Sequence, residues 1–597
     1  MRDVVFDIEA NGFLDEATDI HCISVSENGD EPICFSGPSM VGESLRWLNG
    51  ATNLIGHNII RYDLPLLKKL KGWEPMVGTN IRDTFLLSRM AFPDIMARDA
   101  RRKKIPKKYW GKYSLRAFGH RLDMHKGDHD DFSVFTPEMG DYCDQDVRVS
   151  TYLWTRLKSE GISADAVIME THFAELAFRM EQVGIGFDRG AAIDLFKVLD
   201  EKRDEVLEAL VDLVPPAQTE MKTPQYWIDP VTDVHFTKKY DAPSGIRKEL
   251  IPGPMKIKET HFNPMSRPQV AEFLVTKGWE PTAKTPTGQV RIDESILTQI
   301  PDIPEASLIA DLYRIQKIFG MVAGDKKGWI GLERDGRIHP QIKTLGAYSG
   351  RTSCVNPNLQ QVPSARLPYG KECRALFVAP RQSLLVGCDA KSLEVRCFAH
   401  YMAKFDNGNF AEVVLRGDIH QANADMMDCD RQTAKNTFFA LIYGASSRKI
   451  AAMLDIPLRR ASALVTRLFE ERPAMLTLIS RIKKKAAMSG HLVGLDGRIL
   501  RPRSEHSAVN LLIQSAGACV SKRAALNLDF KIVANRWEDT HIVGFIHDEI
   551  IVEVPDDSVR QVMRAAEASF KDTTQQFKLN CPMDGSAQLG KNWSEIH

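Results

Sequence analysis

The stretch Val543-Gly-Phe-Ile-His547-Asp548-Glu549-Ile-Ile-Val-Glu-Val554 constrains the fold more than any other. Two runs of β-formers flank a charged tip, which predicts an antiparallel hairpin. A tight hairpin turn ordinarily takes Asn-Gly or Asp-Gly. Two adjacent acids there are held rigidly by the strands, and fixed carboxylates suit a hard cation. A hairpin needs further layers to be stable, and the chain supplies them. At 597 residues it exceeds one hydrophobic core, so several domains are expected. Hydrophobic residues at 43% and charged residues at 26% are those of a globular protein.

Asp7 and Glu9, in the strand "VVFDIEANG", are two apart and so share one face. Two acids on one face repel unless a cation neutralises them. "HNIIRYD" sets Asn58, Tyr62 and Asp63 at a helix start, and "DYCDQDV" sets Tyr142 and Asp146 four apart on one helical face. Four carboxylates and a tyrosine can serve two Mg²⁺ or Mn²⁺ about 4 Å apart. One metal would generate hydroxide, the other would stabilise a leaving oxygen, and Tyr142 would orient the water. Asp83, Asp141 and Asp144 fit the spacing as well.

Lys+Arg and Asp+Glu each number 78, so the net charge is zero. A nucleic-acid binder of this composition must segregate its charge. Arg101–Lys104 with Lys107 and Lys108, and Lys483–Lys485, are clusters that could do so. The ten cysteines include no C-x-x-C pair, which predicts reduced thiols rather than a zinc module or disulfide framework. Asp3, Asp7 and Glu9 interrupt any signal-peptide core, and no apolar run reaches the ~20 residues of a membrane span.

Helical periodicity is expected over 141–157, 162–213, 267–277 and 305–319, and over most of 418–489. Between Val214 and His261 seven prolines punctuate a polar, basic stretch. A loop this long is functional or disordered. "SLLVGCDAKSLEVRCFAHYM" reads as a strand entering a helix, and the last hundred residues as mixed α/β.

The blocks "DIE", "NIIRYD" and "YCDQD", in that order, resemble a DEDDy-type proofreading exonuclease. The remainder resembles the DNA polymerase I family (family A), most of all its bacteriophage replicative branch of the T-seven type. "LSRM", "FDNG", "GDIH", "QSAGA", "HDEI" and "GKNW" carry the likeness over nearly the whole chain. The resemblance implies a multidomain α/β protein: an RNase H-like 3′-5′ exonuclease domain plus a right-hand polymerase of palm, fingers and thumb. The implied boundaries are exonuclease 1–165, thumb 166–335 with an insert at 214–261, palm 336–417 and 506–597, and fingers 418–505.

The implied metal ligands are Asp389, the Ala390 carbonyl and Asp548 for synthesis, and Asp7, Glu9, Asp63 and Asp146 for the exonuclease. Each site would take two Mg²⁺, with Mn²⁺ an alternative. His547 and Glu549 would support the primer end and the local network. Lys391 and Ser392 depart from the usual motif and leave its hydrogen bonding open.

Arg431, Lys435, Phe439 and Tyr443 recur every four residues, a slowly winding stripe on one helix. The resemblance implies that Arg431, Lys435 and His420 grip phosphates and that Lys435 protonates the leaving pyrophosphate. Phe439 would stack on the nucleotide, and Tyr443 would close the pocket against the template. Glu394, helped by Tyr443, would block a ribose 2′-OH. Its bland alternative is a surface helix acid in a salt bridge with Arg396 or a neighbour. Phe439, in place of a tyrosine, implies discrimination against dideoxynucleotides. Arg351, Gln361 and Gln514 would lie beside primer-template, where minor-groove acceptors are nearly independent of sequence.

The implied partners are primer-template DNA, dNTPs and a replisome helicase and primase, in host cytoplasm and away from membranes. The insert is expected to contact duplex DNA or a processivity factor, thioredoxin-like or other; the rival reading is a passive elaboration of the thumb. Lys238, Lys239, Arg247, Lys248, Lys256 and Lys258 there would face phosphates. A single-subunit RNA polymerase shares a related palm and finger helix; Glu394 and the N-terminal acids argue against it.

Overall fold

Alternation of side chains builds the N-terminal sheet. Val4, Phe6 and Ile8 of the Asp3–Ala10 strand pack with Val41, Leu48, Leu66 and Leu67 from the helices Pro38–Leu48 and Asp63–Lys71. Val5 points to the opposite face and meets Ile55 and Val147, the latter from the Pro137–Lys158 helix. With helices on both faces, even adjacent strand positions are buried. Asp7 and Glu9 share the face of Val5 by the same period and therefore point towards that last helix. The sheet has five strands in the order Ile33–Ser36, Ile20–Glu27, Asp3–Ala10, Asn53–Gly56, Asn80–Asp83. The first two pairings are antiparallel and the last two parallel.

The structure, a computed structural model, describes residues 2–102, 105–125, 127, 129–214, 216–281, 283–285, 287–324 and 327–596. Its chain divides into two compact units, Asp188–Glu333 and the remainder.

In the larger unit a second, wholly antiparallel sheet has the order His541–Ile546, Glu549–Pro555, Ser383–Ala390, Gly585–Gly590. Val386, Cys388, Ile550 and Val552 share a core with Val562, Ala566 and Phe570 of the Val559–Gln576 helix. The 27-residue Ala508–Ala534 helix is buried along most of its length in the same core. Helices Ile419–Met427, Arg431–Ile442, Ser447–Leu454, Leu458–Glu471 and Pro473–Ser489 make up the expected helical stretch.

The helical pattern over 162–213 is not one helix: Gly184, at φ +70°, ends Ala164–Val183, and Asp188 caps Arg189–Leu213 by accepting from Ala191 N. The first of these helices packs in the larger unit.

The 214–261 segment is folded rather than a loop. Ala217–Pro224 pairs with Met255–Thr260, and Trp227–Ile228 pairs on its two sides with His235–Phe236 and Ile251–Pro252. Tyr226 stacks on His235 with ring centroids 4.3 Å apart, and the Lys239 ammonium lies 4.6 Å from the Trp227 ring centroid. The long partner of the Arg189–Leu213 helix is Pro304–Ala323, joined through Phe196 and Phe319 at 4.6 Å. Thus more than the 214–261 insert separates the two packed helices: the Arg267–Thr276 helix lies between them as well.

All ten cysteines are free. Among the described residues no helix is long and apolar enough to cross a membrane.

Candidate active sites

The hairpin tip is a two-residue turn. His547 is exposed at φ +60°, and Asp548 follows it. Strand Glu549–Pro555 pairs with Ser383–Ala390 in a register that sets Asp389 opposite Glu549. One residue on, Ala390 N donates to Asp548 O at 3.3 Å. Two acids far apart in sequence thus stand at adjoining strand ends. Burial raises the Asp548 carboxyl above the ordinary range; Arg351 and His547 oppose the shift and Glu394 adds to it.

Glu549, directly opposite Asp389, lies on the same face of the sheet. It is 2% exposed and accepts from Trp593 Nε1 at 3.1 Å, beneath the Arg374 guanidinium. It is tied into the local network through Trp593. Lys391 pairs with Asp584 at 2.8 Å, and Ser392 adopts φ +50° at the start of the Leu393–Asp406 helix.

Glu394, on that helix, joins two elements. Arg351 Nη2 donates to its Oε1 at 2.6 Å, and the Tyr443 hydroxyl donates to its Oε2. Burial, then Glu394, pushes the Tyr443 phenol up. Arg396 is not its partner, because its Nη1 donates to Pro582 O at 2.5 Å.

Tyr443 closes the Arg431–Ile442 helix, whose other end is capped by Asp430 accepting from Thr433 N. Gly444, at φ +79°, follows, and a Cβ there would lie 2.1 Å from His506 O. Phe439 lies between Tyr443 (6.1 Å) and His420 (5.5 Å). Arg431 Nε donates to Asp418 at 2.6 Å. His420 Nδ1 is buried without a hydrogen-bond partner among the described residues, and its imidazole is held below the ordinary range by burial and then by Lys435. His420, on the Ile419–Met427 helix, thus faces Phe439 of the stripe.

Gln361 is exposed in the Leu359–Gln361 turn, and Gln514 is half-buried on the Ala508–Ala534 helix, so the two sit on separate elements. Lys103 and Lys104 lie outside the described residues; Arg101, Arg102, Lys107, Lys108, Lys484 and Lys485 are exposed. In the insert, Lys238, Lys248, Lys256 and Lys258 are exposed. Lys239 and Arg247 are engaged internally, Arg247 by donating to Ala242 O and Tyr240 O at 2.8 Å. Four of the six cations, not all six, are therefore available to phosphates.

Of the N-terminal acids, Asp7 and Glu9 meet, together with a thiol. One ligating atom each from Asp7, Glu9 and Cys143 lies within 4.8 Å of the other two. Asp63 is buried, and Glu9 and Asp83 add to the burial that raises its carboxyl well above the ordinary range. Asp7 and Asp146 line one cleft of about 520 Å³. Clustered carboxylates fit a hard divalent cation. Tyr142 packs against His129 and Phe132 at the same helix.

The competing acids have other duties. Asp83 caps the Thr84–Ala91 helix and also accepts from Asn58 N at 2.9 Å and Ile60 N at 3.3 Å. Asp144 accepts from Ser24 Oγ at 2.5 Å, and Asp141 is exposed.

Two residues escape a reading by sequence. Cys143 places a thiol beside Asp7, in a motif whose acids and tyrosine carry the chemical signal. Phe13, 81% exposed, lines the cleft that Glu9 and Tyr62 also line. An apolar residue four positions beyond Glu9, next to Gly12 in a turn, is its available signal.

The model of the family described as "DNA polymerase family A" matches residues 248–595. The chain belongs to DNA polymerase family A. It is 30% identical to the DNA-directed DNA polymerase of Enterobacteria phage T3 and 29% identical to that of Escherichia phage T7, covering 100% of both chains in each case. DNA polymerase I of Pseudomonas aeruginosa is 30% identical over 56% of this chain and 39% of its own length. Among solved structures, the POL domain of Pol1 from M. smegmatis, in complex with DNA primer-template and dNTP, has a TM-score of 0.72 at 17% identity. That match covers 100% of this family A chain and 96% of the other, and it bears on fold alone.

Proposed function

We propose that this family A DNA polymerase extends a primer 3′ end with deoxynucleotides on a template, and removes misincorporated ends with a 3′-5′ exonuclease centred on Asp7. The observation that carries the reading is the adjoining of Asp389 and Asp548 at two strand ends, linked through Arg351, Glu394 and Tyr443 to the Arg431–Ile442 helix.

Asp389, the Ala390 carbonyl and Asp548 would hold two divalent cations, and Asp7, Glu9, Asp63 and Asp146 two more; bound there, they would supply Lewis-acid activation of the attacking and leaving oxygens. The side chains do the rest. Arg431 exchanges Asp418 for a phosphate oxygen. His420, with its buried Nδ1 open to a new partner, turns to the same triphosphate. Lys435 grips the phosphates and gives its proton to the leaving pyrophosphate. Phe439 stacks on the incoming nucleoside. Glu394, held from two sides, leaves no space for a 2′-hydroxyl. Arg351, Gln361, Gln514 and His547 attend the primer-template. In the exonuclease, Tyr142 orients the attacking water, and Phe13 is a further contact for the strand end.

By this reading the N-terminal sheet is the RNase H-like exonuclease, the antiparallel sheet the palm, the helices after Asp418 the fingers, and the smaller unit the thumb. Its folded insert contacts duplex DNA or a processivity partner through Lys238, Lys248, Lys256 and Lys258.

The test is extension of a primer with a mismatched 3′ end, with and without Mg²⁺. Trimming followed by extension, both dependent on Mg²⁺, is expected. Asp548→Asn keeps the turn and removes the charge. Extension by this variant is expected to fall at least about a hundredfold while trimming persists. Equal loss of both would contradict two separate centres.

A further inference from the structure

A loop joins the Gln341–Lys343 strand to the Ser353–Val355 strand and carries Arg351, which holds Glu394. A lysine fills the loop. Lys522, from the Ala508–Ala534 helix, donates to Thr344 O and Gly350 O, each at 2.8 Å, so one ammonium ties the two legs together. It also meets both carboxylate oxygens of Glu170 at 2.7 Å. Glu170 comes from the Ala164–Val183 helix and is 0% exposed; it accepts from Arg498 Nη2 at 2.7 Å. Arg498 in turn donates from Nε and Nη2 to Asp496. Two cations and two anions cancel in the interior.

A buried ionic network contributes little stability over apolar residues of the same size, whereas breaking one partner out is costly. Its benefit here is positional. The loop conformation is set around it. Gly350 has φ +86°, and a Cβ there would lie 2.5 Å from Arg498 Nη1. Gly346 has Ser353 Oγ 2.0 Å from its would-be Cβ. Gly350 N donates to Ala347 O at 3.0 Å and Ala347 N to Arg351 O at 2.9 Å, which closes the turn on Arg351 itself. Neither Lys522 nor Glu170 reaches the proposed nucleotide pocket. They grip the loop, the loop aims Arg351, and Arg351 holds one oxygen of Glu394 while Tyr443 holds the other.

We propose that Lys522 and Glu170 are positioning residues for ribonucleotide exclusion, acting by fixing Arg351 and so the Glu394 wall. This rests on the reading of Glu394 as the barrier to a 2′-hydroxyl. Lys522→Met keeps the stem and removes the ammonium. Thr344 O and Gly350 O lose their donor, the loop loosens, and Glu394 loses the partner that holds it against the sugar.

The experiment measures kcat/KM for dCTP and CTP on one primer-template with five proteins: the native chain, Glu394→Ala, Lys522→Met, Glu170→Gln and the Glu394→Ala/Lys522→Met double variant. Glu394→Ala is expected to collapse the dCTP/CTP ratio. Lys522→Met is expected to lower it about tenfold, within the range of coupled neighbours, chiefly through a rise for CTP. The double variant should discriminate no worse than Glu394→Ala alone.

General destabilisation lowers both substrates together and leaves the ratio unchanged. A native ratio in folded Lys522→Met, with Glu394→Ala altered, overturns the positioning role. So does a double variant whose loss is the sum of the singles. If Lys522→Met does not fold, Glu170→Gln decides by the same ratio. An unchanged ratio in Glu394→Ala would instead remove the barrier reading.

Discussion

Phe439 shows how much one ring position decides. It lies between His420 and Tyr443, where the incoming sugar is proposed to stack. Phenylalanine has no hydroxyl to stand in for a missing 3′-OH. Phe439→Tyr is therefore expected to raise dideoxynucleotide incorporation relative to the deoxy substrate, read as a ratio of kcat/KM values. A ratio equal to the native one would take Phe439 out of the pocket. His400 illustrates a titration written by packing. Burial, and then Lys404, push its imidazole down to about 4, and its Nδ1 accepts from Asn580 N at 3.1 Å. A histidine depressed below its ordinary value of about 6.5 stabilises the fold fully above that value. The contribution fades as pH falls towards 4, because the unfolded chain takes up the proton first. His400→Asn should flatten the fall of Tm between these limits; an equally steep fall would assign the acid sensitivity to other groups.

Elements are legible where local pattern and burial agree. Asp7 and Glu9 alternate with Val4, Phe6 and Ile8, so the strand and its acidic face can be read from period two. The Arg431–Ile442 helix follows from its four-residue stripe, and its cap Asp430 is a standard start signal. The break at Gly184 is hidden by the apolar spacing that continues across it, although the glycine and the following Asp188 cap mark it. The insert is hidden for a different reason. Three of its strands have only two residues, too few for periodicity; its longer pair, Ala217–Pro224 and Met255–Thr260, is almost wholly exposed and lacks an apolar alternation, and stacks between distant residues such as Tyr226 on His235 help hold the insert. Gly444 is where an element boundary bears on chemistry. Its φ of +79° and the carbonyl of His506 leave no space for a methyl group. Gly444→Ala is expected to cost about 1–3 kcal/mol in denaturant unfolding and to raise the KM for dNTP, because Tyr443 shifts with the helix end. An unaltered unfolding midpoint would show that the turn relaxes freely.

At the scale of the molecule, the smaller unit carries its own test. Removing 217–260 takes out strands that pair with one another, so the remaining fold is expected to keep its unfolding profile. If the exposed lysines touch phosphates, product length per binding event falls. The salt dependence of DNA binding becomes shallower too, by roughly 0.9 of a log unit per log salt for each phosphate that the lysines had neutralised. Unchanged processivity would leave the insert a passive elaboration. By itself the sequence determined the strands, the major helices and the acids on each, because period and side-chain chemistry are local. Only the tertiary structure decided which distant residues meet: Ala390 beside Asp548, Arg351 on Glu394, and Lys522 inside the loop that carries Arg351. Those meetings depend on strand register and on the pairing of charges buried from water, and neither leaves a mark in the neighbouring residues.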